Sequence, residues 1–233
     1  CRVPRLSRLI FCLIIGGMAL AHFPDPREAT EDGIVAVGGR PEPALLEEAY
    51  ARGIFPWPVE GYPLLWFSPP ERALLFFDEL HVPRSLARER RRTSLTFTID
   101  RAFERVIRAC AGVTRAHEAG TWITPWMIRG YCEFHRRGHA HSVEAWEGEE
   151  LVGGVYGVDA GGAFAGESMF HLRPNASKLA LLHLVEHLRA RGLDWLDIQV
   201  MTPHMETLGA RLVTRDDFLQ RLADARARGL KLF

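Results

Sequence analysis

Cysteine is scarce in this chain: four among 233 residues, Cys1, Cys12, Cys110 and Cys132. No two form a CxxC pair or a metal-ligand spacing, which argues against a disulfide framework or a cysteine-based metal site and fits a reduced, cytoplasmic setting. An excess of charge of either sign is also missing. Twenty-nine basic residues balance 29 acidic ones, so no global field draws nucleic acid, and any polyanion must be met by a local patch. There is no internal repeat and no low-complexity tract. There is no Walker loop, no GxGxxG and no zinc spacing. Long apolar runs are absent too. The run 9–21, which follows Arg2, Arg5 and Arg8, is shorter than the roughly 20 residues of a membrane span. It ends in Ala19-Leu20-Ala21, which has the look of an export-signal cleavage site. A buried N-terminal segment and an upstream extension are the alternatives, and residues 1–22 are set apart as an uncertain apolar extension. No stable membrane association is expected, and a monomer is.

The composition that remains, 47% hydrophobic and 25% charged, is that of a globular protein with length for one large or two small domains. Residues 33–37 read as an extended piece closed by Gly38-Gly39, and 43–52 as a helix with proline near its start and glycine past its end. Residues 53–58 and 65–70 are rich in aromatics and proline and read as loops, too broken for a central strand. A strand is expected at 73–77. The segment 82–92 is basic, with Arg84, Arg88, Arg90, Arg91 and Arg92, and reads either as a solvated helix face or as a surface for phosphates. Alternation over 95–99 gives a strand, after which Asp100 is placed to cap a helix over 101–111. Thr124 and Pro125 open a helix running to 137.

From Gly138 the texture changes. Three strands joined by tight turns, 141–146, 151–158 and 163–167, form an antiparallel meander. A helix over 176–191 then crosses to a strand over 195–200, which implies a parallel pair. A short helix at 203–209, a strand at 211–213 and a helix at 216–228 complete the chain. The expected organisation is α+β: a smaller mixed domain over 23–137 and a second domain over 138–233.

Gly166-Glu167-Ser168 closes the third meander strand, opposite the start of the long helix, where α/β proteins place their sites. On the parallel neighbour, Asp197 and Gln199 stand two residues apart and share a face. Two carboxylates and an amide at adjoining strand ends suit proton transfer and the positioning of two reactants. The order Gly-Glu-Ser is not a GxSxG nucleophile elbow, so Ser168 is not read as a covalent nucleophile. His135, His139 and His141 have no acidic or cysteine partner in the pattern and read as ordinary strand and helix residues.

The element order resembles the acetyltransferase-like (GNAT) fold, in which two parallel strands splay apart. The motifs are more specific. Gly53-Ile54-Phe55-Pro56-Trp57, Trp66-Phe67-Ser68-Pro69, His81-Val82-Pro83-Arg84-Ser85, Gly120-Thr121-Trp122-Ile123, the stretch from Gly138 to Glu144, Leu151 to Gly157, Gly166 to Phe170, Asn175-Ala176-Ser177-Lys178 and Asp197-Ile198-Gln199 occur in one order. Together, over residues 23–222, they resemble leucyl/phenylalanyl-tRNA–protein transferases, bacterial enzymes of the N-end degradation pathway. The resemblance implies transfer of Leu or Phe from leucyl-tRNA or phenylalanyl-tRNA to proteins beginning with Arg or Lys, with no metal or other cofactor. It places Glu167, Asp197 and Gln199 on catalytic positions. It places Trp57 and Trp122 around the terminal adenosine of the tRNA, with Tyr131 beside the centre. It lines the aminoacyl pocket with Val155, Phe164, Met169, Leu184 and Leu196. The chain departs from the family pattern at Arg40-Pro41, where Asp-Leu is usual, and at Phe67, where Trp is common. Two other classes stay open: a small-molecule acyltransferase with a thioester donor, and a non-catalytic adaptor that binds protein N-termini.

Overall fold

The computed structural model describes residues 22–113 and 122–233. The apolar run 9–21 and the Gly120-Thr121 start of one motif lie outside them. Among the described residues the fold is mixed α/β with two sheets.

The smaller sheet holds β1 (Ile34–Val37), β2 (Phe55–Trp57) and β3 (Leu65–Phe67) in the order β1-β3-β2. The two aromatic segments expected as loops are therefore strands. Proline did not prevent this because β2 is an edge strand, where a missing N–H costs no ladder bond. Trp66 and Phe55 are buried here, and Trp66 Nε1 donates to the Gly38 carbonyl at 2.9 Å. Helix α1 (Pro43–Ala51) links β1 to β2.

The larger sheet has seven strands in the order β10-β4-β9-β8-β7-β6-β5. They are β4 (Glu71–Phe76), β5 (Thr96–Ile99), β6 (Ala140–Glu147), β7 (Glu150–Asp159), β8 (Phe164–His171), β9 (Trp195–Asp197) and β10 (Arg211–Thr214). Because β4 and β5 precede Gly138, the sheet runs across the domain boundary expected there. The remaining helices are α2 (Arg84–Arg92), α3 (Phe103–Ala111), α4 (Pro125–Arg136), α5 (Ala176–Ala190), α6 (Pro203–Thr207) and α7 (Arg215–Ala227).

Two adjacent glycines of β7 show how the sheet is covered. A Cβ on Gly153 would lie 2.6 Å from Cβ of Ala176 in α5, and one on Gly154 would lie 3.2 Å from Val106 in α3. Successive strand residues point to opposite faces, so α5 and α3 pack on the two sides. That is why β7 is buried from Leu151 to Val158 without alternation. Asp100 does not cap α3. It takes φ +59° and turns its carboxylate to His141 and to the Ser142 N–H. The buried Glu144 accepts instead from the N–H groups of Arg101 and Ala102. Thr124 does cap α4, accepting from Met127 N–H.

Two local features aim the centre of the sheet. The β7–β8 register shifts between Tyr156↔Ser168 and Gly157↔Gly166. Glu167 is thus the extra residue of a β-bulge in the middle of β8, not the end of a strand. The parallel pairing of β8 with β9 consists of Ala165↔Asp197 alone. Strand β9 stops there, short of the expected residue 200, because Gln199 takes a left-handed φ of +57°. That conformation costs a non-glycine residue on the order of 1 kcal/mol, so the surroundings must hold it.

Candidate active site at the divergence of β8 and β9

Beyond Ala165 and Asp197 the two strands part, and the bulge turns Glu167 into the gap. Gln199 spans it: its Nε2 donates to Glu167 Oε1 at 2.7 Å. The other oxygen, Oε2, accepts from the Tyr131 hydroxyl at 3.4 Å, and that hydroxyl lies 2.5 Å from the hydroxyl of Tyr50 on α1. Burial pushes the Glu167 carboxyl up to about 7. The Tyr50 hydrogen bond works against the rise, the negative charge of Asp197 adds to it, and Arg72 and Tyr131 oppose it. Burial, and then the charge of Glu167, hold the Tyr50 and Tyr131 phenols well above their ordinary value, so both stay neutral donors.

Asp197 occupies a different place from the one expected. Arg72 of β4 binds both its oxygens, Nε to Oδ1 at 2.8 Å and an Nη to Oδ2 at 2.7 Å. The two residues are 1% and 4% exposed. With both oxygens engaged by a buried guanidinium, Asp197 cannot also receive the charge of an incoming cation. It acts on Gln199 instead, accepting the Gln199 N–H at 2.9 Å. The Gln199 carbonyl accepts from Ala73 N–H at 3.1 Å. These two bonds hold the left-handed turn. Arg72 also donates to the Gly53 carbonyl and lies over the rings of Phe55 and Phe218. One side chain thus ties β4, β9, α7 and the segment leading to Trp57.

A cleft of about 340 Å³ opens at the divergence. Glu167 and Gln199 line it, with Val155, Met169 and Leu196 from the expected pocket. Phe164 and Leu184 do not. Phe164 is buried at the opposite end of β8, against Phe233, and Leu184 is buried in the core. Leu181, one turn before Leu184, lines the cleft in its place, and Ile198 joins it. Trp57 and Trp122 stack at the wall with ring centroids 5.9 Å apart and planes 17° apart. Both are half-buried, which leaves aromatic surface for a ligand.

On α2, Arg84, Arg88 and Arg91 line one shallow recess. Their i, i+4, i+7 spacing puts them on one face. Arg90 is turned away into an ion pair with Glu186 of α5, and Arg92 is exposed outside the recess. The histidines have local partners: His141 Nδ1 lies 2.7 Å from Asp100 and His135 Nδ1 lies 2.7 Å from the Ala140 carbonyl.

The site residues that sequence reasoning missed are Arg72, Tyr50 and Leu181. Arg72 left a trace, a lone arginine heading the apolar run Ala73–Phe77. Tyr50 left none beyond its place on a helix.

Comparison with known proteins decides the relationship. The family described as "Leucyl/phenylalanyl-tRNA protein transferase" matches residues 74–223, and that family's N-terminal domain matches 39–70. Leucyl/phenylalanyl-tRNA–protein transferase of Anaeromyxobacter dehalogenans is 53% identical over 203 residues, covering 87% of each chain. The chain belongs to the leucyl/phenylalanyl-tRNA–protein transferase family. The Chromohalobacter salexigens transferase is also 53% identical, over 82% of this chain and 74% of its own. Among solved structures, L-PGS from Bacillus licheniformis aligns at 17% identity and TM-score 0.41 over 57% of this chain and 47% of that one, too distant to support an argument. The transferase is thus an aminoacyltransferase. Its family match begins inside β4, well before Gly138. Among the described residues no helix is long and apolar enough to cross a membrane.

Proposed function

We propose that the cleft moves a leucyl or phenylalanyl group from the 3′ end of its tRNA to the α-amine of a protein beginning with Arg or Lys. The observation that carries this reading is the pair Glu167–Gln199, hydrogen-bonded across the strand gap beside an apolar pocket and a stacked pair of tryptophans. The diverging parallel contact also supports an acetyltransferase-like arrangement of the larger sheet. Aminolysis forms a C–N bond to the acyl carbon and breaks its bond to the ribose 3′ oxygen. The amine sheds one proton and the oxygen gains one. Glu167, with its carboxyl poised near neutrality, takes that proton, and Gln199 fixes the carboxylate beside the reacting groups. Val155, Met169, Leu181 and Leu196 receive the apolar side chain. Glu167 is the sole acidic residue among the described lining of the cleft, so it also faces the cationic acceptor. The enzyme acts in the cytoplasm as a monomer.

Transfer of leucine from charged tRNA onto a peptide with N-terminal Arg, read by mass, tests this reading. Absence of the one-residue product from active, folded protein contradicts it.

The tRNA itself is held at two places. The outer ring surfaces of Trp57 and Trp122 take the terminal adenine, and the Arg84, Arg88, Arg91 face meets phosphates. Trp57→Ala and Trp122→Ala are each expected to weaken tRNA binding by about 1–3 kcal/mol, the worth of a stacked base, with little change in salt dependence. Replacing the three arginines together is expected to flatten the salt dependence, because fewer counterions are released. Binding isotherms at several salt concentrations separate the two. An unchanged slope in the arginine variant makes that face merely solvated, and unchanged affinity in both tryptophan variants removes the stacking.

A further inference from the structure

Two buried phenols stand behind the reacting carboxylate. Tyr131 is 0% exposed and Tyr50 3%. A buried hydroxyl needs a partner, and packing alone would be served better by phenylalanine. The Tyr50 ring does stack on Phe134 of α4, with centroids 6.4 Å apart, but its hydroxyl points to Tyr131. Each phenol has one proton to give. Tyr131 gives its proton to Glu167 Oε2. Tyr50 lies against both the Tyr131 hydroxyl and the Glu167 carboxyl, and its hydrogen bond to that carboxyl also favours the charged form. Both phenols therefore end on a carboxylate at the cleft.

We propose that Tyr50 is a positioning residue for the transfer reaction: together with Tyr131 it anchors the Glu167 carboxyl on the side away from the substrates, leaving Oε1 to face the acceptor amine. The proposal rests on the reading of Glu167 as the proton acceptor. The groups around that carboxyl are Tyr50 from α1, Tyr131 from α4 with the ring of Tyr156 from β7 against it, Arg72 from β4, Asp197 and Gln199 from β9 and the turn after it, and His204 across the cleft. The two tyrosines and Arg72 favour its charge; Asp197 and burial oppose it. Removing one hydroxyl shifts that balance without touching the substrates.

The test is the pH dependence of kcat at saturating charged tRNA and acceptor peptide, with thermal melts as a check on folding. In Tyr50→Phe the acid limb is expected to move to higher pH by about one unit, which is a tenfold loss of rate on that limb. KM for the tRNA stays unchanged. Tyr131→Phe moves the limb the same way, because its hydroxyl also favours the charged carboxyl. An unmoved limb in folded Tyr50→Phe overturns the proposal. Glu167→Gln at full rate overturns instead the assignment on which it rests.

Discussion

Replacing Asp197 by asparagine is expected to destabilise the protein by about 3–5 kcal/mol and to remove most transfer activity. An asparagine amide turns a donor toward the Arg72 guanidinium, which then sits 1% exposed with its charge uncompensated. Breaking a buried pair from one side costs far more than the pair contributes as a whole. Arg72→Met strands Asp197 in the same way. The double change Arg72→Met with Asp197→Leu removes both charges and is expected to recover much of the stability. It does not recover transfer, because the Gln199 N–H has lost its acceptor and its left-handed turn is no longer held. Chemical denaturation and steady-state transfer on the three variants check this. A stable double variant with full transfer would show that the pair does not position Gln199.

Glu167→Gln is expected to make the enzyme slower and more stable at once. Loss of a general base costs about 10²–10⁴-fold in kcat. The amide fits the same partners: its oxygen accepts from the Tyr131 hydroxyl, and its nitrogen donates to the side-chain oxygen of Gln199 once that amide turns over. The stability effect follows from linkage. The carboxyl is raised from 4.5 to about 7 in the folded state. The native state therefore holds more protons than the unfolded one between those values, and stability falls as pH rises through that window. Below the unfolded value the carboxyl is neutral in both states and costs nothing. Above pH 7 the cost is on the order of 3 kcal/mol. Glu167→Gln should accordingly unfold later than the parent at pH 8 and at nearly the same point at pH 4. Equal stabilities at pH 8 would mean that the carboxyl is not destabilised by burial. These are the terms of an active site that trades stability for reactivity.

Much of this was legible in the residues. The meander follows from its tight turns, the strand near residues 95–99 from alternation, and the cap at Thr124 from its Thr-Pro pair. The convergence of Glu167 and Gln199 was expected from adjoining strand ends, and the two do meet, though Glu167 stands at a bulge inside β8. What was not legible depended on distant pairings. Asp197 looked available until Arg72, 125 residues away, was found on it. The Tyr50–Tyr131 contact spans 81 residues. Strands β4 and β5 join the larger sheet by non-local pairing, which no composition change near Gly138 reveals. Helical spacing marks Leu181 and Leu184 alike as buried, but only the packing of α5 on the sheet decides which one meets the cleft. The bulge at Glu167 and the turn at Gln199 are local, yet neither residue carries the glycine that signals such conformations.

The central claim is that this cleft joins an aminoacyl group to a protein N-terminus. Incubation with leucyl-tRNA and matched peptides beginning with Arg, Lys or acetylated Arg, read by mass and fragmentation, addresses it most directly. The account predicts one leucine on the α-amine of the first two and none on the acetylated peptide. Leucine on lysine side chains, or no product from folded protein, would contradict it.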